Sequence, residues 1–343
     1  MKLGVLGLGS MGSRRVRDLL ALGHDVRGHD VREDRNQRAE TRFGIRTEKS
    51  LAALLRGKLD ALVICTPPDQ HVECYQVAFE SKLPFFSEAS ILTPQAEWFS
   101  ANELRYGVSG YPSATWRFYA PLMTLARLIH RINAPAIAAV HHEYADFLPR
   151  WHPWEPYSEF YAGARKQTSA AREMVPFEFE WLCWLFGPVE SISAVMARLG
   201  TWSTDIDDTY HLHVLFVSGL HATVRIELHR EAAARTAMIC GEAETYQLDF
   251  NSPALRRYEP QTAGWSEVSV PEEESGSSDL EKTYAAEIGA FVAALRGDHP
   301  YPKTWVEDRH LSDVLFAAEL SARERRTVVL AEVASAYDGL SVE

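Results

Sequence analysis

The chain has 343 residues, 46% of them hydrophobic and 24% charged, with 35 Lys and Arg against 47 Asp and Glu and a formal net charge of −12. That length gives two domains, each with an ample core. No dense Lys/Arg block interrupts the acidic balance, which argues against a nucleic-acid surface, where clustered cations must neutralise phosphates; a small anion would need only one or two local arginines.

The first element is a short apolar strand, Leu3 to Leu6. Gly7-x-Gly9-x-x-Gly12 follows, then a helical pattern with Val16, Leu19, Leu20 and Leu22 on one face, stopped by Gly23. Strand, glycine turn and helix N-terminus in that order make a dinucleotide-binding arrangement. Gly7 permits the tight turn, Gly9 lets backbone approach a pyrophosphate, and Gly12 lets the helix pack close to the strand. The helix N-terminus, at Ser10, Met11 and Gly12, offers N–H groups and a partial positive charge to the phosphates. The plainer alternative is a glycine turn that packs a strand on a helix and binds nothing. The next strand, HDVRGHD, ends in Asp30, eighteen residues past Gly12. A carboxylate there accepts from the adenosine ribose and favours NAD, while Arg32 and Arg35 leave NADP open.

A charged helix is predicted over 32–42, then a brief strand and a helix in FGIRTEKSLAALL. DALVIC (60–65) is an apolar strand stopped by Thr66-Pro67-Pro68, DQHVECYQVAFESK a helix, and LPFFSEAS a strand. Strands alternating with helices over short connections specify a parallel, doubly wound sheet. After a helix at 121–131, the segments AIAAVHHEYA, VESISAVMARLG, TYHLHVLFVS, LHATVRIELHR, TAMICGE and TYQLDF read as strands of a large, mostly antiparallel sheet. VSVPEEESGSSDLEK (268–282) reads as an acidic surface loop, and helices near 280–296 and 306–323 finish the chain.

The run DALVICTPPDQHVECYQVAFESKLPFFSEASI resembles the corresponding stretch of the glucose–fructose oxidoreductase / inositol dehydrogenase / MocA family. That stretch is a strand, T-P-P-x-x-H, a helix, and a strand ending in Glu-Lys-Pro; Thr66, Pro67, Pro68, His71 and Glu88 match it. WRFYAP, from Arg117 to Pro121, is close to the family's R-F-x-P, and WLCWLFGPVESISA (181–194) resembles its helix-to-sheet junction, so the resemblance covers most of the chain. It implies an α/β protein whose N-terminal Rossmann domain, 1–120, has a doubly wound parallel sheet. That domain would bind NAD or NADP through Gly7, Gly9, Ser10, Met11, Gly12, Asp30, Thr66, Pro67, Pro68, His71 and Glu88. A C-terminal α/β domain, 121–343, would carry a large open sheet for substrate binding and oligomerisation, its last helices packing back near the first domain. The resemblance further implies a homo-dimer or tetramer paired through the exposed face of that second sheet.

In family members the lysine of Glu-Lys-Pro helps move the proton of the reacting hydroxyl, and a helix carries Asp, then His four residues on, then Asp three further. Here the triplet is Glu88-Ala89-Ser90, and Glu173, Phe177 and Glu180 fall at the helix positions, on about one face. Ala89 and Phe177 transfer no protons. Residues 148–181 instead concentrate aromatics with Arg150, His152, Glu155, Tyr157, Tyr161, Arg165, Lys166, Arg172 and Glu173. Aromatic walls with a few polar groups suit a sugar or cyclitol ring. His152 titrates near neutrality and can replace the missing proton handler, as can Lys166 or Tyr161; Arg150, Arg165 or Arg172 would hold a carboxylate or phosphate. The candidate catalytic set is Glu88, His152, Lys166, Arg172 and Glu173. Pairing with Glu155 is the structural alternative for His152, and Glu180 is expected to be structural.

His211 and His213 lie two apart on one strand face without a third ligand in any motif, and His141 and His142 point to opposite faces, so no metal is expected. Cys65, Cys74, Cys183 and Cys240 are far apart in apolar surroundings and read as reduced thiols. No apolar run approaches a membrane span, and Met1-Lys2 leads directly into a strand, so no membrane association and a cytoplasmic location are expected. Three functions fit. The first is an NAD(P)-dependent oxidoreductase moving hydride to or from a carbohydrate, cyclitol or nucleotide-linked sugar. The second is a lyase, hydrolase or epimerase that oxidises and re-reduces its sugar with no net redox change. The third is a catalytically silent dinucleotide-binding regulator. The crowded polar–aromatic segment favours a small-molecule site over a flat partner surface.

Overall fold

The structure, a computed structural model, describes residues 1–271 and 276–336. The chain divides into two compact units, Met1–Phe118 with Glu274–Arg309, and Tyr119–Glu273 with His310–Glu343. Within the first, elements run β1 (Lys2–Leu6), α1 (Ser10–Ala21), β2 (Asp25–His29), α2 (Glu33–Phe43), β3 (Arg46–Thr47), α3 (Leu51–Leu55), β4 (Ala61–Ile64), α4 (His71–Glu80), β5 (Phe85–Ser87), α5 (Ala96–Tyr106) and β6 (Gly110–Pro112). All six strands are parallel, in the order β3-β2-β1-β4-β5-β6, the Rossmann order. Strands buried on both faces read as unbroken apolar runs, and β4 shows why. Ala61 and Val63 point into one core with Leu3, Val5, Val16 and Leu19, while Leu62 and Ile64 point into the other with Leu6, Tyr75, Phe79 and Phe85.

The second unit holds α6 (Ala120–Ile129), β7 (Ile137–Phe147), α7 (Tyr161–Ala164), α8 (Ala170–Phe186), β8 (Val189–Ala197), β9 (Thr209–Phe216), β10 (His221–Glu227), β11 (His229–Gly241), β12 (Thr245–Asp249), β13 (Ala254–Glu259) and β14 (Gly264–Glu267). The chain ends with α9 (Leu280–Arg296), α10 (Trp305–Glu324), β15 (Val328–Val329) and α11 (Leu330–Ala336). The second sheet has nine strands, ordered β14-β13-β12-β11-β7-β10-β9-β8-β15, antiparallel throughout except for β7 beside β10. Its strands alternate inward apolar with outward polar residues. Leu212, Val214, Val224 and Ile226 are buried; His213, His221 and Arg225 are exposed.

Several elements differ from the sequence expectation. The segment 220–230 is two strands broken at Leu228, and β11 extends far upstream of TAMICGE, to His229. The hairpin β13–β14, helix α5 and strand β6 lie where the sequence shows no strong period. Helix α9 packs on α1 in the first unit, tied by Arg14 and Arg17 to Glu281 at 2.8 and 2.7 Å, so sequence order alone does not mark the unit boundary. Of the expected loop at 268–282, residues 272–275 lie outside the described residues. Asp279 caps α9, accepting from Glu281 N–H at 2.8 Å.

Candidate functional site

The glycine turn separates packing from binding. Gly7 has φ +83°, and a Cβ there would lie 2.5 Å from the Cys65 carbonyl; at Gly12 a Cβ would lie 1.8 Å from the Gly7 carbonyl. Both glycines are therefore required by the fold alone. Gly9 is not: among the described residues a Cβ there would come near only the end of the Arg35 side chain, at 3.4 Å. The first helical bond runs from Ser13 N–H to Gly9 O, so the N–H groups of Ser10, Met11 and Gly12 have no place in the helix ladder. A turn that keeps a glycine without steric need, beside a helix N-terminus, fits a dinucleotide pyrophosphate.

Asp30 directly follows β2 with its carboxylate turned into the turn. It accepts from Leu8 N–H at 2.7 Å and Arg32 N–H at 2.9 Å, and Arg35 lies 3.6 Å away. Two oxygens carry about four acceptor sites, so capacity for a ribose hydroxyl remains. Arg32 pairs with Asp34 at 2.8 Å. After β4, Thr66-Pro67-Pro68 leaves the sheet, and the His71 Nε2 bonds the Thr66 carbonyl at 2.9 Å. That contact makes Nε2 the donor. His71 is fully buried, and burial pushes it down to about 4 against the Thr66 hydrogen bond, so it is neutral; its Nδ1 has no partner.

Glu88 leaves the end of β5 and meets a residue with no place among the sequence-derived candidates. Arg15 on α1 is completely buried, binds Glu88 through Nε (2.5 Å) and a terminal nitrogen (3.2 Å), and reaches Glu287 of α9 at 2.5 Å. Burial pushes the Glu88 carboxyl up, with the Arg15 guanidinium opposing, and pushes the Cys65 thiol up beside it. The available signal was spacing: Arg15 sits with Gly12, Val16 and Leu19 on the buried face of α1.

In the second unit the structure sorts the 148–181 segment. Arg150 is exposed and pairs with Glu231 at 2.9 Å; Lys166, also exposed, pairs with Asp207 at 3.2 Å; Arg172 pairs with Glu319 through two nitrogens, at 2.5 and 3.2 Å. These cations have local acidic partners. His152 and Glu155 form a mostly buried pair, Nδ1 to Oε1 at 3.2 Å. The ring stacks on Trp154 (centroids 4.9 Å, 17°) and lies 4.3 Å from the Phe160 ring. Beyond Phe160, the Tyr161 hydroxyl donates to both Glu173 oxygens, at 3.0 and 3.1 Å. The structure thus pairs His152 with Glu155 and Tyr161 with Glu173, the two pairs flanking Phe160, and sets Lys166 beside Asp207 and Arg172 beside Glu319.

Phe177 lies against a second buried cluster that composition does not reveal. Arg235 of β11 is 5.7 Å from the Phe177 ring and 4.3 Å from Tyr144, and bonds Glu178 at 2.6 Å; His142 bonds the same carboxylate at 2.7 Å. Burial pushes Glu178 up, but Arg235 and His142 outweigh it and hold the carboxyl below its ordinary value. On the opposite face His141 bonds Thr223 at 2.7 Å, and His211 pairs with Glu227 at 2.8 Å. Among the described residues no cluster of three or more His, Cys, Asp or Glu is placed to hold a metal, no helix is long and apolar enough to cross a membrane, and all four cysteines are free.

Residues 1–104 match the family model for the oxidoreductase family with an NAD-binding Rossmann fold, and residues 125–247 match that of the GFO/IDH/MocA C-terminal domain. No curated protein sequence matches the chain significantly. Solved structures share the fold along almost the whole length. An oxidoreductase from Agrobacterium radiobacter in complex with NAD+, L-tartaric acid and magnesium has TM-score 0.80 and 14% identity, covering 97% of this chain and 99% of that one. The WlbA dehydrogenase from Bordetella pertussis in complex with NADH and UDP-GlcNAcA has TM-score 0.75 and 20% identity, covering 96% and 97%. UDP-N-acetylglucosamine 3-dehydrogenase GnnA from Acidithiobacillus ferrooxidans has TM-score 0.74 and 17% identity, covering 94% and 98%. With the Rossmann strand order, the open Gly9 turn and these matches over both halves, the chain belongs to the glucose–fructose oxidoreductase / inositol dehydrogenase / MocA family of oxidoreductases, and its first unit is an NAD-binding Rossmann domain.

Proposed function

We propose that the protein is an NAD-dependent dehydrogenase of a sugar-like substrate, in which the His152–Glu155 pair handles the proton that Ala89 and Phe177 cannot. The observation that carries this reading is the pair itself, a carboxylate-oriented imidazole set between aromatic rings. Donation from Nδ1 to Glu155 makes Nε2 the accepting nitrogen and stabilises the imidazolium once formed, the role a carboxylate plays beside a general-base histidine. The rings of Trp154 and Phe160 suit the apolar face of a sugar, and the Tyr161–Glu173 pair suits its hydroxyls. When bound, NAD supplies the hydride acceptor or donor. Ser10, Met11 and Gly12 N–H groups would hold its pyrophosphate and Asp30 its ribose, while Arg35 beside Asp30 supports acceptance of NADP too.

The carbohydrate, cyclitol or nucleotide-sugar class is supported by this lining and by fold relatives that act on or bind UDP-linked sugars. Copies would pair through the outer face of the second sheet, in the cytoplasm. The test is reduction of NAD+ by a panel of cyclitols, sugar acids and UDP-sugars, followed by the absorbance of the reduced nicotinamide. His152→Gln should lower kcat by about 10²–10⁴-fold and leave NADH affinity unchanged. Full activity in that variant would overturn the assignment. Turnover without absorbance change would indicate the reaction with no net redox, and NADH binding with no turnover the silent regulator.

A further inference from the structure

The Arg15 cluster has no part in that reading, yet it has an arrangement that packing alone does not demand. One buried guanidinium serves two carboxylates, Glu88 and Glu287, and its remaining nitrogen donates to the Tyr284 carbonyl at 2.8 Å. Its face lies 4.8 Å from the Phe86 ring and 5.4 Å from the Tyr284 ring. Glu287 in turn accepts from Ser113 Oγ (2.8 Å), Ala114 N–H (2.6 Å) and Thr115 Oγ1 (3.0 Å). Arg15 thereby joins the helix that follows the glycine turn, the end of β5, and the segment after β6. The carboxyl edge of an open parallel sheet is where its ligands bind. A buried ion triad is a poor source of stability, because apolar side chains of similar volume do as well or better, so its retention asks for another reason.

We infer that Arg15 is a positioning residue of the dinucleotide site: by holding Glu88, and through Glu287 the segment 113–115, it fixes the glycine-turn helix against the carboxyl edge that receives the dinucleotide. The inference rests on NAD binding by the first unit and is independent of the substrate. The groups facing Glu88 are Arg15 from α1, Cys65 from the end of β4, and Glu287 from α9. Burial raises the Glu88 carboxyl, Arg15 opposes it and the neighbouring Glu287 charge adds to it, so Glu88 takes up a proton more readily than a surface carboxylate. Protonating Glu88 removes the charge from its pairing with Arg15 and loosens the tie between the helix and the end of β5, while Glu287 and the Tyr284 carbonyl still hold the guanidinium.

The experiment is NADH titration of the full chain by tryptophan fluorescence, from acid to neutral pH, for the wild type, Arg15→Met, Arg15→Lys and Glu88→Gln. Wild-type affinity should be constant near neutrality and weaken on the acid side. Arg15→Met should bind about tenfold more weakly at neutral pH. Its acid limb should move to higher pH, because Glu88 has lost the cation that favours its charged form. Arg15→Lys should restore part of both effects, and Glu88→Gln should remove the acid limb. Weakening of Arg15→Met by one factor at every pH, or no weakening, would overturn the inference. If Arg15→Met does not fold, Glu88→Gln decides: an acid limb unchanged from wild type overturns it. A wild type that binds no NADH at any pH would overturn the NAD assignment, and this inference with it.

Discussion

Gly9 and Gly12 look alike in the sequence and differ in kind in the structure. A Cβ at Gly12 meets backbone, whereas one at Gly9 meets only the end of Arg35. Gly12→Ala should therefore lower stability by about 1–3 kcal/mol, the range for overpacking. Gly9→Ala should leave the melting temperature unchanged and weaken NADH at least about tenfold, near 1.4 kcal/mol. Equal NADH affinity in Gly9→Ala and wild type would contradict the binding role. His71 gives a pH prediction. Its folded value, about 4, lies below its unfolded one, so the unfolded chain binds the proton first. The stability it contributes is complete above about pH 6.5 and is lost as pH falls toward 4, by about 3 kcal/mol in all. His310 is pushed down to about 4 as well, also by burial, and adds a second slope. Urea midpoints of His71→Gln should fall less steeply over that window; an unchanged slope would contradict a neutral, buried His71. The motif residues were legible because each sits in a short local pattern. Arg15 and Glu287 were not, since their contact spans 272 positions and each alone reads as an ordinary helix charge.

Among the elements, α8 shows how far a local pattern carries. Its sequence marks Glu173, Phe177 and Glu180 on one face, yet a fully buried carboxylate lies off that set at Glu178, fixed by His142 of β7 and Arg235 of β11. Glu178→Gln would leave two buried donors without their charge partner and should cost about 3–5 kcal/mol. Because the folded Glu178 carboxyl lies below its unfolded value, its stabilisation is present above the ordinary carboxylate range and lost as pH falls through it. A thermal shift of Glu178→Gln within error of wild type would contradict the cluster. The buried parallel strands were readable as apolar runs. Strand β11 was harder, because AAARTAM carries weak strand propensity and is held extended by pairing with β7 on one side and β12 on the other. Helix α5 was hidden for a related reason: its burial rests on Phe99, stacked 3.7 Å from Trp305, a partner far along the chain.

For the whole molecule, the outer face of the second sheet is the surface that pairing would use. It presents His141, His213, His221 and Arg225 with the exposed apolar Val195, around a shallow cavity of about 240 Å³ that includes Thr223 and Thr327. Sedimentation should show a dimer or tetramer, and Val195→Asp should shift it toward monomer; a concentration-independent wild-type monomer would contradict pairing. The family was legible because its motifs lie along most of the chain, in both the stretches its two domain models match. The most direct measurement is NAD+ reduction by the sugar and nucleotide-sugar panel, run in parallel on wild type and His152→Gln. At least one substrate should drive nicotinamide reduction in the wild type, with the variant slowed by about 10²-fold or more at unchanged NADH affinity. Equal rates in both, or no reduction by any member while NADH binds, would contradict a dehydrogenase that works through His152.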